Sequence, residues 1–236
     1  MPPASTPGPA EPTATPSTAG GGPVLALLAR GLELWLRQQC EAIEDLHIDL
    51  EGSAAQLVRG RLQGVRLQAR GVVFQRLEIE RVELRSEPLQ VRMGRLLRSQ
   101  SLQLEHPFQI RGRVAFSAEG LSRCLATPPW SELGDSIAEQ LLGLTPLAGL
   151  RFEGDRLILR SQAISDGVPL ERRTLVRIEQ GGLVLQADPE AAAEDGASSP
   201  ADPKIARLPK DDNIALETAE VGGGLLELQG QARVSP

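Results

Sequence analysis

The sequence predicts an α+β fold in which helices pack against one face of a long, bent antiparallel sheet. Apolar residues fall on alternate positions through much of the chain, as in LQGVRLQARGVVFQRLEIERVEL over Leu62–Leu84, which is the period of a half-buried strand. Short glycine-bearing turns separate several of these runs, and such turns join neighbouring strands antiparallel. A period near 3.6 is confined to one stretch after Pro23 and two in the middle of the chain.

Residues 1–22 are rich in Pro, Ala, Thr and Gly and bury too little apolar surface to offset chain entropy, so they read as a disordered tail ahead of a single domain over 23–236. Pro23 opens the helix PVLALLARGLELWLRQQCEAI, because proline at a first helical position lacks only an N–H that has no partner there. Leu25, Leu28, Leu32, Trp35, Leu36 and Ile43 form its apolar stripe, with Arg30, Glu33, Arg37 and Glu41 away from it. The stripe suits packing on a sheet; membrane contact through Val24–Leu28 is the alternative. From Leu46 the period becomes two. Leu46, Ile48 and Leu50 are followed by Val65, Leu67 and Ala69. Leu77 and Ile79 are odd-numbered and Val82 and Leu84 even-numbered, so a β-bulge is expected near Glu80–Arg81.

Leu89, Val91 and Met93 give a further strand, then Leu102 and Leu104, then Phe108, Ile110, Gly112, Val114 and Phe116. Gly112 in the middle of that last run marks a sharp bend. Ser117 and Ser131 are placed to cap two helices, the second ending at Gly143 with Leu133, Ile137 and Leu141 as its stripe. Hairpins are expected at Glu153–Asp155 and Gly181–Gly182. The acidic, Pro-rich segment from about 188 to 213 reads as a long disordered loop. The last strand puts Leu226, Leu228, Gly230, Ala232 and Val234 on one face.

Catalytic signatures are lacking. There is no GxSxG, GxxxxGK[ST] or GxGxxG, and His47 and His106 lack partners at metal-binding spacing. The chain therefore reads as a non-enzyme without a cofactor. Cys40 and Cys124 read as two ordinary thiols. A net charge of −6, no Tyr, four Phe and two Trp argue against nucleic acid as a partner, since strand binding needs phosphate-neutralising charge and stacking rings. No secretory signal or transmembrane stretch is evident, which points to a cytoplasmic protein that meets a membrane only at its periphery.

The charges are unevenly spread. Leu57–Arg113 holds 12 Arg, 5 Glu and no Lys, whereas from Gln186 onward there are 10 acids and 4 basic residues. Arg66, Arg70, Arg92, Arg95, Arg98, Arg111 and Arg113 are candidates for a basic surface toward phosphate groups, because the planar guanidinium gives paired hydrogen bonds. The alternative is a solvated sheet face balanced by the acidic segment.

From Pro23 onward the chain resembles the LmeA-like phospholipid-binding family of bacteria. The resemblance lies in the amphipathic helix leading to IEDLHIDLEG, in LVRGRLQGVRLQARGVVFQRLEIERVELRSEPLQV, in PFQIRGRVAFSAEGLSRCL and in the closing GGGLLELQGQARVSP. It implies a tubular lipid-binding module: a long, strongly curved antiparallel sheet wrapped around the N-terminal helix and two shorter helices, with an apolar groove for acyl chains. Secreted members of the family carry an N-terminal signal or anchor, where this chain has its uncharged Pro/Thr tail.

The strands supply about twenty inward apolar positions and the helices about a dozen, leaving a surplus of oily surface. The expected function is binding of a phospholipid or another amphiphile between sheet and helices. Leu67, Leu77, Ile79, Leu84, Val91, Leu102, Leu104, Ile110, Val114, Phe116, Ile137 and Leu141 are the candidate lining, and Arg92, Arg95 and Arg98 the candidate head-group contacts. A protein-interaction scaffold with a solid core and no ligand is the alternative.

Overall fold

The computed structural model describes residues 22–90, 106–161, 169–190 and 204–235. The fold is α+β, as the alternation predicts. Helix α1 (Pro23–Gln39) leads into β1 (Ala42–Glu51), the short α2 (Ala54–Val58) and β2 (Arg61–Leu62). Then come β3 (Gly64–Phe74), β4 (Leu77–Ser86), β5 (Leu89–Gln90) and β6 (Phe108–Ser117). Helices α3 (Ala118–Leu125) and α4 (Ser131–Leu142) separate these from β7 (Leu147–Glu153), β8 (Arg156–Ser161), β9 (Glu171–Glu179), β10 (Gly182–Ala187), β11 (Ile205–Arg207), β12 (Ile214–Gly222) and β13 (Leu225–Val234).

The strands divide between two main antiparallel sheets. Six pair in the order β1-β3-β4-β6-β13-β12 and five in the order β11-β10-β9-β8-β7, while β2 and β5 make a small ribbon. The large sheet is not closed into a barrel. The main sheets meet where β12 lies beside the β9–β10 hairpin, and Leu216 N–H donates to Gly181 O at 3.0 Å.

Each helix has its own role. Leu25 of α1 is buried with Leu57, Leu62 and Leu89, against Leu28, Leu50, Val65 and Phe108. Glu33, also on α1, accepts a hydrogen bond from Ile48 N–H at the β1 edge of the sheet. Helix α4 lies on the five-stranded sheet, where Ile137, Leu141, Leu142, Leu147, Leu157, Leu159 and Leu185 form a closed core. Helix α3 bridges the two parts. Its Arg123 grips Glu78 of β4 with two hydrogen bonds of 2.8 and 2.6 Å, and its Ser122 bonds both N–H and C=O of Leu150 on β7.

Several local expectations change. Helix α1 stops at Gln39 because Cys40 is already extended, so Ile43 lies on β1 and not on the helical stripe. Trp35 is 53% exposed, because helical pitch sets it about 80° round from buried Leu25, beside exposed Val24. Helix α4 has Ser131 as its first residue and no side-chain cap, since Trp130 takes the capping position; Ser117 does cap α3 by accepting from Gly120 N–H. Within the segment expected as a loop over 188–213, β11 adds an edge strand to the five-stranded sheet and Ala206 is fully buried. The tail before residue 22 lies outside the described residues. A capping box, Ser53 with Gln56, opens α2 where no element was expected.

The phase change in the apolar pattern has a different origin from the single bulge expected at Glu80–Arg81. Register between β1, β3 and β4 is the same on both sides of the row Glu44–Gly71–Glu80, where pairing lapses. All three strands change phase together. Ile43 with Leu46, Ala69 with Val72, and Ile79 with Val82 each join one apolar cluster although they stand three residues apart. Gly71 has φ +55° at that row, a conformation that favours glycine.

Gly112 of β6, the position of the expected bend, pairs with Gly230 of β13 in continuous register. A Cβ on Gly112 would lie 2.3 Å from Glu83 O, and one on Gly230 would lie 2.4 Å from Ala215 O. Side chains on this side are crowded by neighbouring backbone, so the sheet closes toward it. Gly112→Ala is expected to lower the urea midpoint by an amount worth about 1–3 kcal/mol, the usual cost of overpacking. Gly31→Ala, with open space around its Cβ position in α1, is expected to raise stability by about 0.5–1 kcal/mol. Burial, with Glu78 nearby, pushes the Cys124 thiol up to about 11. A thiol reagent near pH 8 is therefore expected to modify half-buried Cys40 and to reach Cys124 only on unfolding.

Candidate functional site

The inside of the bend is the apolar side of the six-stranded sheet. Across the strands run two rows of cross-strand neighbours. One is Ile48, Leu67, Leu84, Gly112, Gly230 and Leu216; the other is Leu46, Ala69, Val82, Val114, Leu228 and Ala219. Burial on this side is uneven and follows no order across the strands. Ile48, Ala69, Val82, Phe116 and Leu226 are buried. Leu46, Leu50, Val65 and Leu67 of β1 and β3 are half-buried, as are Leu84, Ile110, Val114, Leu228, Ala232 and Leu216 of β4, β6, β13 and β12. Among the described residues no helix packs extensively on β12 or β13. Ser86 also faces this side, and its hydroxyl accepts a hydrogen bond from Val65 N–H.

The opposite side of the same sheet is charged. Arg66, Gln68, Glu83, Arg85, Arg111, Arg113, Glu217 and Gln229 surround an open depression of about 440 Å³. Glu51 accepts from both Arg66 and Arg85 at 2.9 Å. Glu83 stands 3.9 Å from Arg113, and Glu227 3.6 Å from Arg81. A second depression nearby includes Arg70, Arg81, Asp45 and His47. Arg66, Arg111 and Arg113 of the expected basic surface thus do converge, together with Arg85. Their described acidic partners lie mainly within the sheet itself and not in the acidic segment. Exposed pairs of this kind contribute little each, and they mark a solvated face.

The sequence over residues 19–231 matches the LmeA-like phospholipid-binding family. The chain belongs to that family. Membership in this phospholipid-binding family points to lipid binding as the general function. No curated protein and no solved structure matches the chain. No described helix is long and apolar enough to cross a membrane, and no described group of His, Cys, Asp and Glu is arranged to hold a metal.

The LmeA-like chain brings part of the expected lining together. Leu67, Ile79, Leu84 and Val114 share one cluster around Ala69, Val72 and Val82. Ile110 lies farther along β6 between Ser86 and Ala232, while Phe116 is buried opposite Leu226. Leu77 sits opposite Phe74 at the β3–β4 hairpin. Ile137 and Leu141 are elsewhere, sealed in the core of the five-stranded sheet. Their helical stripe could not reveal which sheet it would meet. Val91, Leu102, Leu104, Arg92, Arg95 and Arg98 lie outside the described residues. Leu228, Ala232 and Leu216 complete the apolar side. The first two were legible in the strict alternation of the last strand, whereas a register shift between Leu216 and Thr218 hides the third.

Glu78, near the hairpin end of β4, ties α3 to the six-stranded sheet. Hydrogen bonds from Arg123, joined by its charge and opposed by burial, hold the Glu78 carboxyl below its usual range. A depressed folded-state value means stabilisation that is present above the unfolded carboxyl value and lost as pH falls through the folded one. Glu78→Gln is expected to lower the unfolding midpoint at neutral pH, with the gap to wild type closing as acid protonates Glu78 in both the folded and the unfolded protein.

Proposed function

We propose that this LmeA-like protein binds a phospholipid, or another amphiphile, by laying acyl chain along the apolar side of the six-stranded sheet, and that it does no chemistry on it. The observation that carries this reading is the half-buried row Leu84, Ile110, Val114, Leu228, Ala232 and Leu216 on the inside of a bend. Hydrocarbon side chains recognise hydrocarbon by area, with no geometry to satisfy. Burying about ten methylenes there would gain on the order of 8 kcal/mol before the cost of ordering the chain. Binding without turnover is favoured by the described lining, which is hydrocarbon apart from Ser86, whose hydroxyl oxygen accepts from Val65 N–H.

A ligand-free scaffold would be expected to close both sheets as tightly as α4 closes the five-stranded one. The contrast between that sealed core and the half-buried row favours the lipid reading.

Native mass spectrometry of gently purified protein is expected to show bound lipid, and a fluorescent fatty acyl probe is expected to brighten on mixing. Ala232→Trp, which fills the space beside Ile110 without adding charge, is expected to cut probe uptake about tenfold while the circular dichroism spectrum is kept. Uptake unchanged in Ala232→Trp would place the acyl chain elsewhere.

A further inference from the structure

The N-terminal helix has a second apolar face that no described element covers. Leu25 turns inward and is buried, while Leu28, Leu32 and Leu36 are half-buried. Leu27 and Leu34 point the other way and Val24 and Trp35 to one flank, exposed at 73%, 61%, 48% and 53%. At 100° per residue these four fall within roughly 100° of arc, with Gly31 at its centre. A Cβ on Gly31 would meet nothing within 4 Å, so the middle of the arc is open. These four are half of the eight large hydrophobics exposed among the described residues, which makes this a patch rather than scatter.

The charges beside the arc are ordered. Arg30 and Arg37 border it on one side, seven residues apart and so on one line of the helix, and Arg37 also donates from Nη1 to Ile43 O at 2.8 Å. Glu33 is the helix's lone acid, and it is turned to the sheet, where it accepts from Ile48 N–H. The outward surface of α1 is therefore mainly apolar in the middle, with Gln38 joining it only at the C-terminal end, and cationic along one edge, with an indole at the margin. That is the pattern of a helix lying in the plane of a bilayer interface. A protein of net charge −6 can still approach an anionic bilayer through such an edge, because the field of distant charges is screened within about 8–10 Å.

We infer that α1 docks this protein on anionic membrane surfaces, seating Val24, Leu27, Leu34 and Trp35 among the acyl chains and setting Arg30 and Arg37 against lipid phosphates. The choice of a lipid surface as partner rests on the lipid-binding reading above; the site itself is separate from the apolar side of the sheet. Helix α1 keeps Leu25 in the core while its outer arc dips into the interface, so docking needs no unfolding.

The test is flotation of the full chain with vesicles of phosphatidylcholine alone or with roughly one third phosphatidylglycerol. Wild type is expected to float with the anionic vesicles. Leu27→Gln with Leu34→Gln is expected to weaken this about tenfold or more, and Arg30→Gln to remove the preference for phosphatidylglycerol. Gly31→Leu, filling the open centre, is expected to strengthen it. Equal flotation of wild type and the double variant overturns the proposal, as does failure of wild type to float. Sedimentation showing a dimer that the double variant splits would make the arc a self-interface and also overturn it. Uptake of the acyl probe in vesicle-free buffer separates the two readings. Docking lost with uptake kept supports both, and docking lost only in the variants while wild type takes up no probe leaves this inference standing and removes the acyl-groove reading.

Discussion

Two facing glycines set the shape on which the rest depends. Gly112 and Gly230 pair in the middle of β6 and β13, at the centre of a row that runs from Ile48 to Leu216. A Cβ at either position would lie 2.3 or 2.4 Å from a neighbouring strand's carbonyl oxygen, so a side chain there would force the strands to shift. Their lack of side chains does two things at once. It lets the sheet close toward its apolar side, and it leaves the floor of that side low where flanking strands carry Leu84 and Leu216. The same bend holds the hydrocarbon side chains of β4, β6, β13 and β12 on a common inner surface.

Helix placement then decides what that surface does. Helix α1 closes the end over β1 and β3, α3 is held at the β4–β6 end by the Arg123–Glu78 pair, and α4 is committed to the five-stranded sheet. The two sheets thus differ in kind. One has a sealed core with Ala138, Leu141 and Ala206 wholly buried; the other has an apolar face on which buried and half-buried residues are mixed on most strands. Arginines on the reverse of that face are tied to Glu51, Glu83 and Glu227, which keeps the sheet's outer side wet and its inner side oily.

Much of this was legible in the sequence where a period is strict. The run from Phe108 to Phe116 and the run from Leu226 to Val234 both form strands with the expected facing, and the hairpins at Gly154 and Gly181 fall where glycine takes positive φ. What escaped were facts set by partners. Ile137 and Leu141 had the right stripe, but nothing local says which sheet a helix meets. The phase change near Glu80 looked like one strand's bulge because a single strand cannot show that its two neighbours change phase with it. Trp35 was placed on the packing stripe because α1 is apolar on two sides, and only the exposure of Leu27 and Leu34 separates them.

The central claim is that acyl chain lies on the inside of the bend. A photoactivatable phospholipid, cross-linked to the purified protein and located by peptide mass spectrometry, tests this most directly. The account predicts adducts on β4, β6, β12 and β13 at the residues beside Leu84, Ile110, Leu228 and Leu216. Adducts confined to the arginine-lined reverse face, or to the five-stranded sheet, would contradict it.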